Sequence, residues 1–297
     1  MRYLSMSASS SFSSPGARPV RWDSVFCDID GTLISTKLKI LPKTLAAIQY
    51  LGRNGIPFTI ASARGPRSVG LLTAEYDIRA FVIAYSGGQI FDEKGKVLWQ
   101  KGMTRDRAER IVRFASGTGI DSIWSVFTPG AWITPDAADH RITEDEEVVK
   151  VRAVQGRMKD IPAETPVFRI VFFTEDKEDG DLLVALLKKE FPSFHVTKSW
   201  FNMVEVMEGS VTKADAVIRL CHLLGRRPEN AVAFGDNYND EEMLRAVGHG
   251  VLMANGPEDL KKRIQFITED NDHEGIANEL RRIHLIPSKS GRSAAEK

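Results

Sequence analysis

The sequence predicts an α/β fold built on a parallel sheet and interrupted by an inserted α+β segment. Three observations carry this. Apolar runs of four to six residues alternate with helical periods, the pattern of strands buried on both faces. Several runs stop at polar signatures, where an open α/β sheet holds its ligands. Between two such stretches lie about 115 residues of different texture, with half-exposed strands and separate helices.

Taken in order, Ser24 to Cys27 is a short apolar run stopped by Asp28. Residues 42–52 follow as a helix with Leu45, Ile48 and Leu51 on one face, closed by Gly52 and Gly55. Pro57 to Ala61 and Ala80 to Tyr85 are further strands. From Ile90 the texture changes. Val97 to Trp99 and Ser122 to Phe127 read as half-exposed strands, and Thr104 caps a helix whose Ala108, Ile111, Val112 and Ala115 share a face. Val167 to Phe173 is a strand, then Leu182, Leu183, Leu186 and Leu187 mark a helix with acids at its start and lysines at its end. Strands at 194–198 and 203–207 end the insertion. After Gly209 the α/β pattern returns: helix 214–224, strand 231–234, helix 240–247 with Gly248 as its stop, strands 251–253 and 265–267, and a closing helix 276–286. The expected division is therefore 21–89 with 208–287, an inserted 90–207, and two tails, 1–20 and 288–297.

Length and composition bound the function. A chain of 297 residues has room for about two domains, and its 42% apolar and 27% charged residues suit a globular core. Forty basic residues balance forty acidic ones, so no electrostatic footprint for duplex nucleic acid is present. No apolar stretch is long enough to span a membrane. The two cysteines, Cys27 and Cys221, sit in apolar runs and read as buried small hydrophobes of a reducing, cytoplasmic setting. Six histidines fall at no metal-ligand spacing, so a metal here should be a hard cation held by oxygen. Seven of the first fourteen residues are serine and no acid precedes Asp23, so residues 1–20 read as a disordered or processed extension.

The chemistry lies at the strand ends. Asp28 and Asp30 are two apart, and on an extended chain would point to one side, where they repel unless a cation sits between them. Gly31 permits a sharp turn and Thr32 offers a hydroxyl; taken alone, the motif reads equally as a plain turn after a strand. Asp236 to Asp240 is a second acidic cluster: Asp236 sits on the strand side of its turn, while Asp240 also reads as a helix cap. Acids from two strand ends make a Mg²⁺ site of the kind that also takes a substrate phosphate. Lys213 heads a helix, where a cation opposes the macrodipole and needs an anionic partner. Ser62 and the Ala63 N–H follow a strand and are able to donate to phosphate oxygens.

These residues resemble the haloacid dehalogenase-like superfamily of phosphohydrolases. Four motifs carry the resemblance: Phe26 to Leu33, Ile60 to Arg64, Lys213, and Phe234 to Leu244. Their order, with a long insertion between the second and third, is similar to the Cof-type branch with a class IIB cap, as are Met253 to Gly256 and His273 to Ala277. The likeness spans residues 22–286 and implies a Rossmann-like core with an α+β cap that closes over the site. It further implies Asp28 as nucleophile and Asp30 as general acid and base. Mg²⁺ would be held by Asp28, the Asp30 main-chain carbonyl and Asp236. Phosphate would be held by Ser62, Ala63, Lys213 and Asn239, with Asp240 supporting the metal or orienting Lys213. Two departures stand out: Ser62-Ala63-Arg64 where the family usually has Thr-Gly-Arg, and Ser86-Gly87-Gly88 where it often has Asn-Gly-Ala. Serine keeps the hydroxyl, and alanine keeps the N–H if its φ is negative. The implied activity is a Mg²⁺-dependent phosphatase for small phosphorylated metabolites. A phosphosugar mutase or phosphotransferase shares the motifs, and a phosphate-binding module without turnover would not need Asp30. The cap tryptophans Trp99, Trp124 and Trp132, with Trp200 and Phe201, read either as packing or as stacking platforms.

Overall fold

The computed structural model describes residues 21–287; the expectations for 1–20 and 288–297 lie outside the described residues. The first part of the chain forms β1 (Ser24–Cys27), α1 (Pro42–Arg53), β2 (Phe58–Ala61), α2 (Pro66–Glu75), β3 (Phe81–Ala84), β4 (Gln89–Phe91) and β5 (Val97–Gln100). The middle forms α3 (Arg105–Ser116), β6 (Ser122–Phe127), β7 (Trp132–Thr134), α4 (His140–Val149), β8 (Val154–Gln155), β9 (Arg169–Thr174), α5 (Lys177–Glu190), β10 (Phe194–Trp200) and β11 (Met203–Glu208). The last part forms α6 (Lys213–Leu223), β12 (Ala231–Gly235), α7 (Glu241–Ala246), β13 (His249–Met253), α8 (Glu258–Lys261), β14 (Phe266–Thr268) and α9 (Gly275–Arg282).

The first sheet has eight strands in the order β14-β13-β12-β1-β2-β3-β4-β5. β1 pairs in parallel with β2 on one side and β12 on the other, so the parts of the chain before and after the second sheet meet beside it. All residues of β1 and β12 are buried, which is why these strands are unbroken apolar runs rather than alternating ones. Val217, Leu220 and Met243 cover one face against Phe26 and Ala233. Ile48, Leu51, Ile276 and Leu280 cover the other against Val25 and Val232. Cys27 and Cys221 are buried and free. Among the described residues no helix is long and apolar enough to cross a membrane.

The second sheet has six strands, β10-β11-β9-β6-β7-β8. α3 and α5 pack on one face through Ala108, Ile111, Leu183 and Leu187, over Val126, Ile170 and Phe172. On the opposite face Ile142 of α4 meets Val171, Phe173 and Trp132. The sequence assigned residues 90–100 to the insertion, yet β4 and β5 pair antiparallel with β3 and with each other in the first sheet. The second sheet's part of the chain thus begins beyond Gln100. The closing helix also ends earlier than 286: His284 takes φ +58, and the N–H groups of Leu285 and Ile286 turn back to the Leu280 carbonyl at 2.9 and 3.2 Å.

Candidate active site

β1 delivers Asp28, which is 5% exposed. Directly after it the chain leaves extended geometry: the N–H groups of Thr32, Leu33 and Ile34 all donate to the Ile29 carbonyl, at 3.3, 3.0 and 3.1 Å. The expectation that Asp28 and Asp30 project side by side is therefore corrected, because alternation holds only on an extended strand. The Asp28 carboxylate stays inside. The Asp30 side chain, 55% exposed, swings out and accepts from Arg64 Nη2 at 2.6 Å and Nε at 2.9 Å. Gly31 makes the turn possible on two counts. Its φ is +80, and a Cβ there would lie 2.4 Å from Asp236 Oδ2. Thr32 Oγ1 donates to Asp236 Oδ1 at 2.9 Å, joining the ends of β1 and β12.

Lys213, 3% exposed at the first position of α6, donates to Asp28 Oδ1 at 2.5 Å and to Asp240 Oδ1 at 2.7 Å. The cation misplaced against its helix dipole thus has two anionic partners. Asp240 Oδ2 accepts from the N–H groups of Asp236 and Asn237, at 3.0 and 3.2 Å, so both Asp240 oxygens are engaged. Carboxylate oxygens of Asp28, Asp236 and Asp240 lie within 4.8 Å of one another. Burial alone would lower the Lys213 pKa; Asp240 and Asp28 outweigh it and hold the ammonium above the usual lysine range. Burial pushes Asp28 up, opposed by Lys213 and reinforced by its acidic neighbours. Asp236 is pushed up to about 7 by burial and then by the charge on Asp240. Three carboxylates share one ammonium, which leaves the site short of positive charge.

The turn after β2 supplies Ser62 and Ala63. Ser62 is buried; its N–H donates to the Ile83 carbonyl and its own carbonyl accepts from the Ser86 N–H, both at 2.9 Å. Ser62 Oγ accepts from the Arg64 N–H at 3.1 Å. Ala63 avoids positive φ, so replacing the family glycine costs no strain. Its N–H has no partner among the described residues, and its carbonyl accepts from Arg169 Nη1 of β9 at 2.9 Å. The departure at Ser86-Gly87-Gly88 retains one necessary glycine: Gly87 has φ +116, and a Cβ there would lie 2.4 Å from the Thr212 carbonyl, just ahead of Lys213. Asn239 is exposed in the short turn before α7, beside Asp240.

The geometry thus gathers Asp28, Asp236, Asp240 and Lys213 at the carboxyl ends of adjacent strands, with Ser62 and Ala63 at the next one. It adds residues to which the sequence reading gave no role. Arg64 holds Asp30, and Arg169 links the two sheets; a lone arginine in the apolar run 167–173 was the available signal. Asn255 Nδ2 donates to the Gly31 carbonyl and Asn271 Nδ2 to the Ile34 carbonyl, each at 2.9 Å, bracing the loop after Asp28. Of the tryptophans, Trp132 is 4% exposed and stacked on Phe127, whereas Trp99 belongs to the first sheet and Trp200 is exposed.

The model of the haloacid dehalogenase-like hydrolases matches residues 25–280. The chain belongs to this family. It is 28% identical over 256 residues to a candidate phosphatase of Haemophilus influenzae, covering 86% of this chain and 96% of that one. It is 26% identical over 234 residues to the HMP-PP phosphatase of Serratia proteamaculans, covering 79% and 84%. A haloacid dehalogenase-like hydrolase structure from Bacteroides thetaiotaomicron superposes with a TM-score of 0.77 at 22% identity, over 89% of this chain and 100% of that one. This confirms the α/β core with its inserted α+β unit. The chain is a hydrolase of the phosphatase group.

Proposed function

We propose that this enzyme is a Mg²⁺-dependent phosphatase that hydrolyses small phosphorylated metabolites, sugar phosphates among them, through an aspartyl-phosphate. One observation carries the reading: a buried lysine bridges Asp28 and Asp240 at the strand ends, with Asp236 beside them. Asp28 is the nucleophile. Its carboxylate oxygen bonds to phosphorus as the bond to the leaving oxygen breaks, and Asp30 gives that oxygen its proton. Asp30 then takes a proton from the water that cleaves the aspartyl-phosphate. To do either, Asp30 must be released from Arg64. Lys213, Ser62 Oγ, the free Ala63 N–H and Asn239 hold the phosphoryl oxygens, and Asp240 orients Lys213. The excess of carboxylates over cations suits a hard divalent ion, with Asp28, Asp236 and the Asp30 main-chain carbonyl as its ligands. When bound, Mg²⁺ would neutralise phosphate charge facing the nucleophile.

The test is direct. Purified protein with Mg²⁺ should release inorganic phosphate from an aryl phosphate, and EDTA should abolish it. A rate indifferent to EDTA would remove the metal from the reading, and no release from aryl or sugar phosphates would remove the hydrolysis.

A further inference from the structure

The contact from Arg169 to Ala63 marks where the second sheet lies over the first. Alternation along β9 turns Arg169, Val171 and Phe173 toward the face covered by α4. On that face Glu205 of β11 and Ser125 of β6 flank Val171 from either side. Arg169 and Glu205 are 7% and 2% exposed, with Nη2 and Oε1 2.9 Å apart but off the hydrogen-bond axis. Arg169 Nε, Glu205 Oε1 and Ser125 Oγ are all buried without a hydrogen-bond partner among the described residues. Protein interiors seldom leave several such atoms together unless something else takes their hydrogen bonds.

α4 closes this face. Ile142 and Val149 pack against the sheet's apolar residues, and Asp145, three after one and four before the other, shares their side of the helix. Asp145 is half-buried, and its carboxylate has no hydrogen-bond partner among the described residues. Its carboxyl feels the charges of Arg169 and Glu205 on the second sheet and of Arg64 and Asp30 in the loops that follow β2 and β1. Arg64 is committed to Asp30 and Arg169 is paired with Glu205, so Asp145 is the carboxylate left over. Burial pushes it up to about 6, as expected for an acid lacking a donor.

We propose that Asp145 reads the leaving group: it accepts from an amine or hydroxyl on the organic part of the substrate, and disfavours leaving groups that carry a carboxylate. This rests on the phosphatase reading and adds the chemical class of the substrate. Like charge near Asp145 would repel an anionic leaving group, whereas a donor would satisfy the unpartnered acid.

The test compares three phosphates on one six-carbon scaffold: a hexosamine 6-phosphate, the hexose 6-phosphate and the aldonate 6-phosphate. The full chain with Mg²⁺ should favour the amine and the hydroxyl forms over the carboxylate by about tenfold or more in kcat/KM. Asp145→Asn, nearly isosteric, should collapse that ratio to within about threefold, and Asp145→Lys should invert it, with thermal melts confirming that both variants fold. A wild-type preference for the carboxylate, or a ratio unmoved in both folded variants, would overturn the assignment while leaving phosphatase activity intact. Absence of hydrolysis of any phosphate, including the aryl one, would instead overturn the phosphatase reading and this inference with it.

Discussion

Lys213 shows how much depends on a single buried cation. Its ammonium donates to Asp28 and Asp240, and Asp240 also ties down two backbone N–H groups of its own turn. Asp240→Ala should therefore cost about 3–5 kcal/mol, because it leaves a buried charge half-paired. Urea denaturation should show a lowered midpoint at unchanged slope. Asp28→Asn is the complementary case. It is close to isosteric, and should leave a folded enzyme whose turnover falls by at least about 10³-fold. Residual activity within about tenfold of wild type, roughly 1.4 kcal/mol, would show that another group attacks phosphorus. Asp28, Asp236 and Lys213 were legible in the sequence because each breaks a local rule: an acid closing an apolar strand, or a cation heading a helix. The Asp28–Asp30 pairing was misread because the chain turns at Ile29, where several N–H groups converge on one carbonyl.

At the scale of elements, α1 has no cap of its own: Leu41 at its N-cap offers no side-chain oxygen. Glu274, far along the chain and at φ +60, accepts from the N–H groups of Lys43 and Thr44 at 2.8 and 2.7 Å and from Thr44 Oγ1 at 2.9 Å. Glu274→Ala should cost about 0.5–2 kcal/mol, the range for losing a helix cap, measured by urea denaturation. An unchanged stability would mean that water replaces the carboxylate at no cost. The sequence reading noted the His273 to Ala277 motif but not what it does, since its partner is distant along the chain. The strands β4 and β5 were assigned to the insertion for a similar reason. A half-exposed strand looks alike in either sheet, and only its hydrogen-bond partner decides membership. α4 went unseen because its many acids obscure the apolar period carried by Ile142 and Val149.

For the molecule as a whole, the acidic cluster should make stability depend on both pH and metal. The folded pKa of Asp236, about 7, is raised above its ordinary value of 3.8, and Asp28 shifts in the same direction. A raised acid binds its proton more tightly when folded. Its contribution to stability is therefore complete below about pH 4 and is lost as pH rises toward 7. A divalent cation held by the same carboxylates offsets that loss once they are ionised. The rise in melting temperature caused by Mg²⁺ should be larger at about pH 7.5 than at about pH 5. Equal or reversed increments in a thermal scan would place the metal elsewhere.

The alternation of buried strands with helices, the polar stops at Asp28, Ser62 and Asp236, and the place of Lys213 were determined by the sequence alone. They rest on periodicity, caps and turns, whose range is a few residues. Tertiary structure decided which sheet takes β4 and β5, that Asp30 turns to Arg64, and that Arg169 reaches Ala63 while Asp145 is left without a hydrogen-bond partner among the described residues. Those outcomes depend on contacts between residues far apart in the chain, and the energy of such a contact exists only once folding has brought both partners together.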